Sequence, residues 1–242
     1  MTDASIAETV ARPGALAQLG FRPSDRPYEN TRSLPFRFRQ GRFRHVRALI
    51  DTVIAEKGSA RIIDIGGTEQ YWAIARDYLA GKPVEIHLVN LEKADVAGAP
   101  FLAHAGDATR LGEFDDMSFD IVHSNSVIEH VGSWANMMAM ADNVRRLAPR
   151  YYVQTPDFWS PVEPHFRAFG WHWLPEQVRA RRLMRRGYGF RGRASSMDEA
   201  MRSIQGCALI DRRQLAALFP DARILAERVL GLPKSLMAIR DR

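Results

Sequence analysis

One cysteine, Cys207, stands in 242 residues. That excludes an internal disulfide, and with no cysteine cluster and no close histidine pair there is no structural zinc motif, so no metal is expected. Lysine is almost as scarce: four of the 34 basic residues are lysine (Lys57, Lys82, Lys93 and Lys234), and arginine carries nearly all the positive charge. No apolar run approaches the roughly 20 residues of a membrane span. The amino end, Met1 to Gly20, carries Asp3 and Glu8 and has no compact apolar core, so it does not read as a secretion signal, and a cytoplasmic protein is expected. Internal repeats and low-complexity tracts are also missing. The net charge of +6 fits an anionic partner, but arginine bias on this scale equally reflects coding composition.

What is present is the composition of an ordinary globular chain, 46% hydrophobic and 26% charged. Its length suits one large domain able to bury about 70–75% of its unfolded surface. The most informative stretch is Arg61-Ile62-Ile63-Asp64-Ile65-Gly66-Gly67-Thr68-Glu69. A β-branched run reads as a buried parallel strand, two glycines end it, and Trp72, Ala75 and Leu79 then fall at helical spacing over Glu69–Ala80. Strand, glycine turn and helix start together form a nucleotide-binding crevice. The pattern is not Gly-x-Gly-x-x-Gly, and Glu69 in the first helical turn would repel a pyrophosphate while suiting a ligand with positive charge.

Asp64-x-Gly66-Gly67-Thr68 resembles the first motif of the class I S-adenosylmethionine-dependent methyltransferases, acidic-x-Gly-x-Gly-x-Gly, with Thr68 and Gln70 in place of the later glycines. Other segments follow in the family's order. Glu85–Val89 is a second strand, ending in Asn90, Leu91 and Glu92, where the resemblance places the ribose and adenine contacts. Ala105-Gly106-Asp107-Ala108 resembles the family's third-strand motif, in which the aspartate accepts from the adenine amino group. Phe119–Val122 followed by Asn125 and Glu129-His130-Val131 resembles the "FDvV…s…leHv" pattern of small-molecule methyltransferases. It is not the Asn/Asp-Pro-Pro-Tyr/Phe signature of enzymes that methylate base amino groups, so no DNA partner is expected. The resemblance implies S-adenosylmethionine as cofactor, held by Asp64, Gly66, Gly67, Thr68, Asn90, Leu91, Glu92, Asp107, Ala108 and Asn125. It also implies an α/β fold: a mostly parallel seven-stranded, Rossmann-like sheet with helices on both faces. Arg223–Val229 and Ser235–Arg240, joined by Gly231–Lys234, would supply its closing antiparallel hairpin.

After the fifth strand, Tyr151–Thr155, come four prolines between Pro156 and Pro175. They forbid regular helix or central strand and shape a loop at the carboxyl edge, where open α/β sheets bind ligands. The arrangement resembles uncharacterised bacterial methyltransferases in which Gln-Thr-Pro and Glu-Pro-His follow that strand. His165 is the expected general base, oriented by Glu163, with His130 a second candidate; Trp159, Trp171 and His172 are expected beside the acceptor. The acceptor is expected to be a hydroxyl or amine of a small molecule, sugar or glycan. Residues 176–193, rich in arginine, read as a lid over an anionic acceptor, a solvated face or a docking surface. The chain thus divides into an extension, 1–40, and a methyltransferase-like domain, 41–242. Two other functions compete: a non-catalytic binder of RNA or an anionic membrane surface on the same fold, and, less favoured by the glycine pattern, an NAD-dependent oxidoreductase.

Overall fold

The computed structural model describes residues 34–242. Most of the expected extension, residues 1–33 of 1–40, lies outside the described residues. Helix α1 (Leu34–Lys57) is followed by β1 (Ala60–Ile65), a broken helical stretch, β2 (Val84–Asn90), β3 (Phe101–Ala105), β4 (Ile121–Asn125), α4 (Trp134–Leu147) and β5 (Arg150–Pro156). Two short strands, β6 (Val162–Glu163) and β7 (Ala168–Phe169), then pair only with each other. Helices α5 (Glu176–Arg185), α6 (Met197–Gln205) and α7 (Arg212–Leu218) precede β8 (Arg223–Val229) and β9 (Leu232–Arg240). The main sheet has seven strands in the order β3-β2-β1-β4-β5-β9-β8. Its first five strands are parallel and β9 runs antiparallel to both β5 and β8.

Because successive side chains of a strand point to opposite faces, each strand feeds two cores. Ile63, Ile65, Val122, Tyr151 and Val153 pack under α4 and α7, against Met137, Met140, Val144, Leu215 and Leu218. Ile62, Ile121 and Tyr152 join the other face, under α1 with Phe43, Val46, Ile50 and Val53. A third cluster, Phe166, Trp171, Ala180, Leu183, Ala194, Ala200 and Ile204, holds the stretch between β6 and α6 together on its own.

Three expected boundaries shift. The helix over Glu69–Ala80 is three short pieces, α2 (Glu69–Trp72), a 3-10 turn (Ala73–Ala75) and α3 (Arg76–Leu79). Tyr71, Trp72, Ile74, Ala75 and Leu79 are all buried along these pieces. The closing hairpin turns at Leu230-Gly231, both at positive φ (50° and 82°), rather than over Gly231–Lys234; that geometry matches strand twist, and β9 begins earlier. Finally, α1 starts at Leu34, inside the stretch expected as the extension 1–40.

Helix α1 brings Phe38 and Arg42 onto the last hairpin. Lys234 lies over the Phe38 ring and pairs with Glu227 at 3.0 Å. Burial, opposed by Glu227 and reinforced by Arg42 and Arg39, lowers the Lys234 pKa to about 8. Between about 8 and the ordinary 10.5 the unfolded chain holds this proton and the folded chain does not. Lys234 therefore makes the fold more stable as pH rises through that window. Urea unfolding from pH 7 to 10.5 should show a rise for the native chain that Lys234→Met reduces; parallel curves would contradict it.

Candidate active site

The crevice is built at the carboxyl end of β1. Gly66 has φ +74°, and a Cβ there would overlap Val127; a Cβ on Gly67 would overlap the carboxylate of Asp64. Both glycines are thus set by close approach, and the backbone they free faces a cavity of about 280 Å³. Thr68 caps α2, accepting from the Tyr71 N–H at 3.3 Å. Arg39 and Arg42 of α1 line the opposite wall, and Asn125, at the end of β4, contributes a buried carbonyl oxygen with no hydrogen-bond partner.

Under the crevice floor runs a polar row that the sequence reading did not find. Register places Asp64 of β1 beside His123 of β4 and His123 beside Tyr152 of β5, all on the face covered by α1. The His123 Nδ1–H donates to Asp64 Oδ1 at 2.6 Å, and Trp72 Nε1–H donates to Oδ2 at 2.7 Å. An ionised carboxylate only accepts, which fixes the His123 tautomer and leaves Nε2 to accept from the Tyr71 hydroxyl at 3.1 Å. The His123 ring stacks on Tyr152, whose phenol pKa is raised by burial. Asp64 is fully buried with both oxygens engaged, so it supports the glycine turn from below.

The remaining expected cofactor residues surround this turn. Asn90 Nδ2 donates to the Gly67 carbonyl at 2.9 Å, tying the end of β2 to the turn. Leu91 and Glu92 are exposed just beyond. Asp107 Oδ1 accepts from the Thr109 amide and hydroxyl, both at 2.8 Å, a local turn that leaves its second oxygen available, and Ala108 packs on the core. Glu69, read as suiting a cationic ligand, accepts from the Ala97 N–H at 2.9 Å and anchors the loop after β2.

The loop beyond β5 brings together residues far apart in sequence. The His165 Nδ1–H donates to Glu163 Oε1 at 2.6 Å, while Glu163 Oε2 accepts from the Phe166 N–H at 2.5 Å. His130 stands edge-on to His165, ring centroids 4.7 Å apart, and its Nδ1–H donates to the Gly206 carbonyl at 2.8 Å; burial lowers its pKa. His172 Nε2–H donates to the Phe158 carbonyl at 2.6 Å and its pKa is also lowered by burial. Trp171 corrects an expectation. It is 1% exposed, stacked on Phe166 in the third core, and faces no acceptor. Trp159, Phe169 and Trp173 are the exposed aromatics of this loop. The basic stretch divides: Arg181, Arg182, Arg185, Arg186 and Arg193 are exposed, whereas Arg179 and Arg191 turn inward toward Glu163 and Cys207.

Residues 54–150, from the end of α1 through the start of β5, match the family described as "Methyltransferase domain". The chain carries a methyltransferase domain of the class I S-adenosylmethionine-dependent kind. Its sheet order, with β9 inserted antiparallel between β5 and β8, is that fold. No curated protein matches the sequence. Among solved structures, a SAM-dependent methyltransferase from Aquifex aeolicus is 11% identical, with a TM-score of 0.41 over 83% of this chain and 98% of that one. An arsenic(III) S-adenosylmethionine methyltransferase from Chlamydomonas reinhardtii is 16% identical, with a TM-score of 0.43 over 74% and 62%. S-adenosylmethionine is the methyltransferase's cofactor. The glycine cradle, the unpartnered Asn125 oxygen and the arginines opposite are donors and acceptors that suit an adenosyl amino acid. The match supports methyl transfer over the NAD-dependent and non-catalytic readings of the sequence. Among the described residues no helix is long and apolar enough to cross a membrane.

Proposed function

We propose that this methyltransferase transfers the methyl group to a hydroxyl, or an amine, of a sugar, glycan or other small molecule. Gly66, Gly67, Thr68 and Asn125 hold the methionine part of the cofactor, with Arg39 and Arg42 facing its carboxylate; Asn90 to Glu92 receive the ribose and adenine, and Asp107 with Ala108 the adenine edge. Asp64 acts through the turn it braces. The sulfonium supplies a good leaving group, so the chain's task is alignment for in-line attack and exclusion of water, worth about 7–11 kcal/mol. His165, held by Glu163, accepts the acceptor's proton, and His130 and His172 border the same loop.

The observation that carries this reading is the set of exposed rings on the same loop. Trp159 and Trp173 are 59% and 42% exposed and Phe169 78%, on a loop otherwise built on a packed core. Amphipathic aromatic faces at a water boundary suit a ligand with alternating apolar and hydroxyl edges. The exposed arginines of α5 favour an anionic member of that class, with the 176–193 stretch acting as its lid.

Release of S-adenosylhomocysteine should be measured against neutral sugars, uronic or phosphorylated sugars, and simple amines. Acceptor-dependent release with hydroxyl compounds is expected, and Trp159→Ala and Trp173→Ala should raise KM several-fold more than they lower kcat. Turnover of amines alone, or aromatic variants with unchanged KM, would contradict the sugar assignment.

A further inference from the structure

Three side chains from separate stretches meet behind the acceptor loop: His130 in the 3-10 turn after β4, His165 after β6, and Cys207 just after α6. Their ligand atoms all lie within 4.8 Å of one another. Cys207 Sγ is 3.1 Å from His165 Nδ1, and Glu163 Oε1 sits 2.6 Å from the same nitrogen. His130 has its Nδ1 proton held by the Gly206 carbonyl, which leaves the Nε2 lone pair for another partner. A carbonyl holding the far nitrogen of an imidazole is the kind of outer contact that orients metal-bound histidines.

A second observation points to a cation independently of that cluster. Glu129 is fully buried, and although its Oε2 accepts from Thr155 at 3.0 Å, its Oε1 has no hydrogen-bond partner. A buried carboxylate oxygen without a donor is costly unless positive charge reaches it. The Glu129 carboxylate lies close enough to both His130 and Cys207 for its charge to act on them.

We propose that His130, His165 and Cys207 form a binding site for a divalent d-block ion of the Zn²⁺ type, with Glu163 as fourth ligand or outer partner and Glu129 supplying charge balance. The ion takes the place of the proton now held between His165 Nδ1 and Glu163, and that proton moves to Nε2. The Cys207 thiol gives up its own proton to solvent as the sulfur–metal bond forms, so binding releases one proton. Two histidines, a thiolate and a carboxylate suit Zn²⁺ or Co²⁺, and the thiolate disfavours Mg²⁺ and Ca²⁺. Arg179 and Arg191 lie close to the thiol. Burial, with Glu129 and Glu163, holds the proton on the thiol, and these arginines oppose that only in part while repelling a cation, which makes the strength of the sulfur–metal bond decisive. Binding stands apart from the methyl-transfer reading. Its consequence rests on that reading: an ion here occupies the imidazole proposed as base and lowers methyl transfer.

The full chain, stripped with a chelator, should be titrated with Co²⁺ alone. One equivalent is expected to give tetrahedral absorption with a sulfur-to-cobalt charge-transfer band, and release of one proton measured by calorimetry in buffers of different ionisation enthalpy. Cys207→Ser should remove the charge-transfer band, and Cys207→Ser and His130→Ala should each weaken binding at least tenfold, with Mg²⁺ in excess failing to displace cobalt. S-adenosylhomocysteine affinity of each variant reports whether the fold is intact. No cobalt spectrum in the native chain overturns the site, as does a charge-transfer band retained at unchanged affinity in Cys207→Ser. Metal binding without methyl transfer to any acceptor would leave the site standing and remove the functional proposal; the converse would do the opposite.

Discussion

His165→Ala is expected to lower methyl transfer to a hydroxyl acceptor by about 10²–10⁴-fold, the usual contribution of a positioned base, with S-adenosylhomocysteine affinity unchanged. The separation follows from where the residue sits. His165 belongs to the loop after β6 and touches Glu163, Cys207 and His130, none of which lines the glycine crevice. Glu163→Gln should be milder in turnover, because an amide oxygen still accepts from Nδ1 but carries no charge to favour the imidazolium that proton transfer creates. The Phe166 N–H also depends on that side chain, so Glu163→Ala should loosen the loop as well. Single-turnover rates with the stripped enzyme and calorimetry with S-adenosylhomocysteine distinguish the effects. Equal losses of turnover and cofactor affinity in His165→Ala would count against its role as base.

Gly67→Ala is expected to cost about 3–5 kcal/mol of stability, the range for breaking a buried charged pair, and to abolish cofactor binding. The methyl would occupy the space of the Asp64 carboxylate, which cannot withdraw without giving up both Trp72 and His123. Losing Asp64 from this row leaves the Trp72 indole and the His123 Nδ1–H buried without an acceptor, beneath the turn that shapes the crevice. Urea denaturation measures the first effect and calorimetry the second. A loss below about 1 kcal/mol would mean that the floor of the crevice adapts far more easily than interior packing allows.

These two sites differ in how far the sequence disclosed them. The strands were legible because a parallel sheet covered on both faces demands dense apolar runs, and Ile62-Ile63 or Ile121-Val122 can hardly be anything else. Asp64, Gly66 and Gly67 were legible because their spacing is local. His123 was not, since a histidine in a buried strand reads as an anomaly until lateral register sets it beside an aspartate 59 positions earlier. Trp171 misled for the related reason that aromatic residues in a proline-rich loop look alike; only the third core decides that Trp171 is inside while Trp159 and Trp173 are out. Cys207 is the clearest case. A lone cysteine excludes a zinc motif only if ligands must be neighbours in sequence, and here His130 and His165 reach it from other loops. The place of Arg39 and Arg42 on the crevice wall follows from α1 crossing over β1, which no local pattern encodes.

The central claim is that the cofactor lies at the end of β1, where two glycines turn above the Asp64–His123 row. A crystal structure of the S-adenosylhomocysteine complex tests it most directly. The account predicts the amino acid part over Gly66 and Gly67 with Asn125 and Arg42 in contact, and the sulfur directed toward the His165 loop. Electron density for the nucleoside elsewhere, or a sulfur directed away from Glu163 and His165, would contradict it.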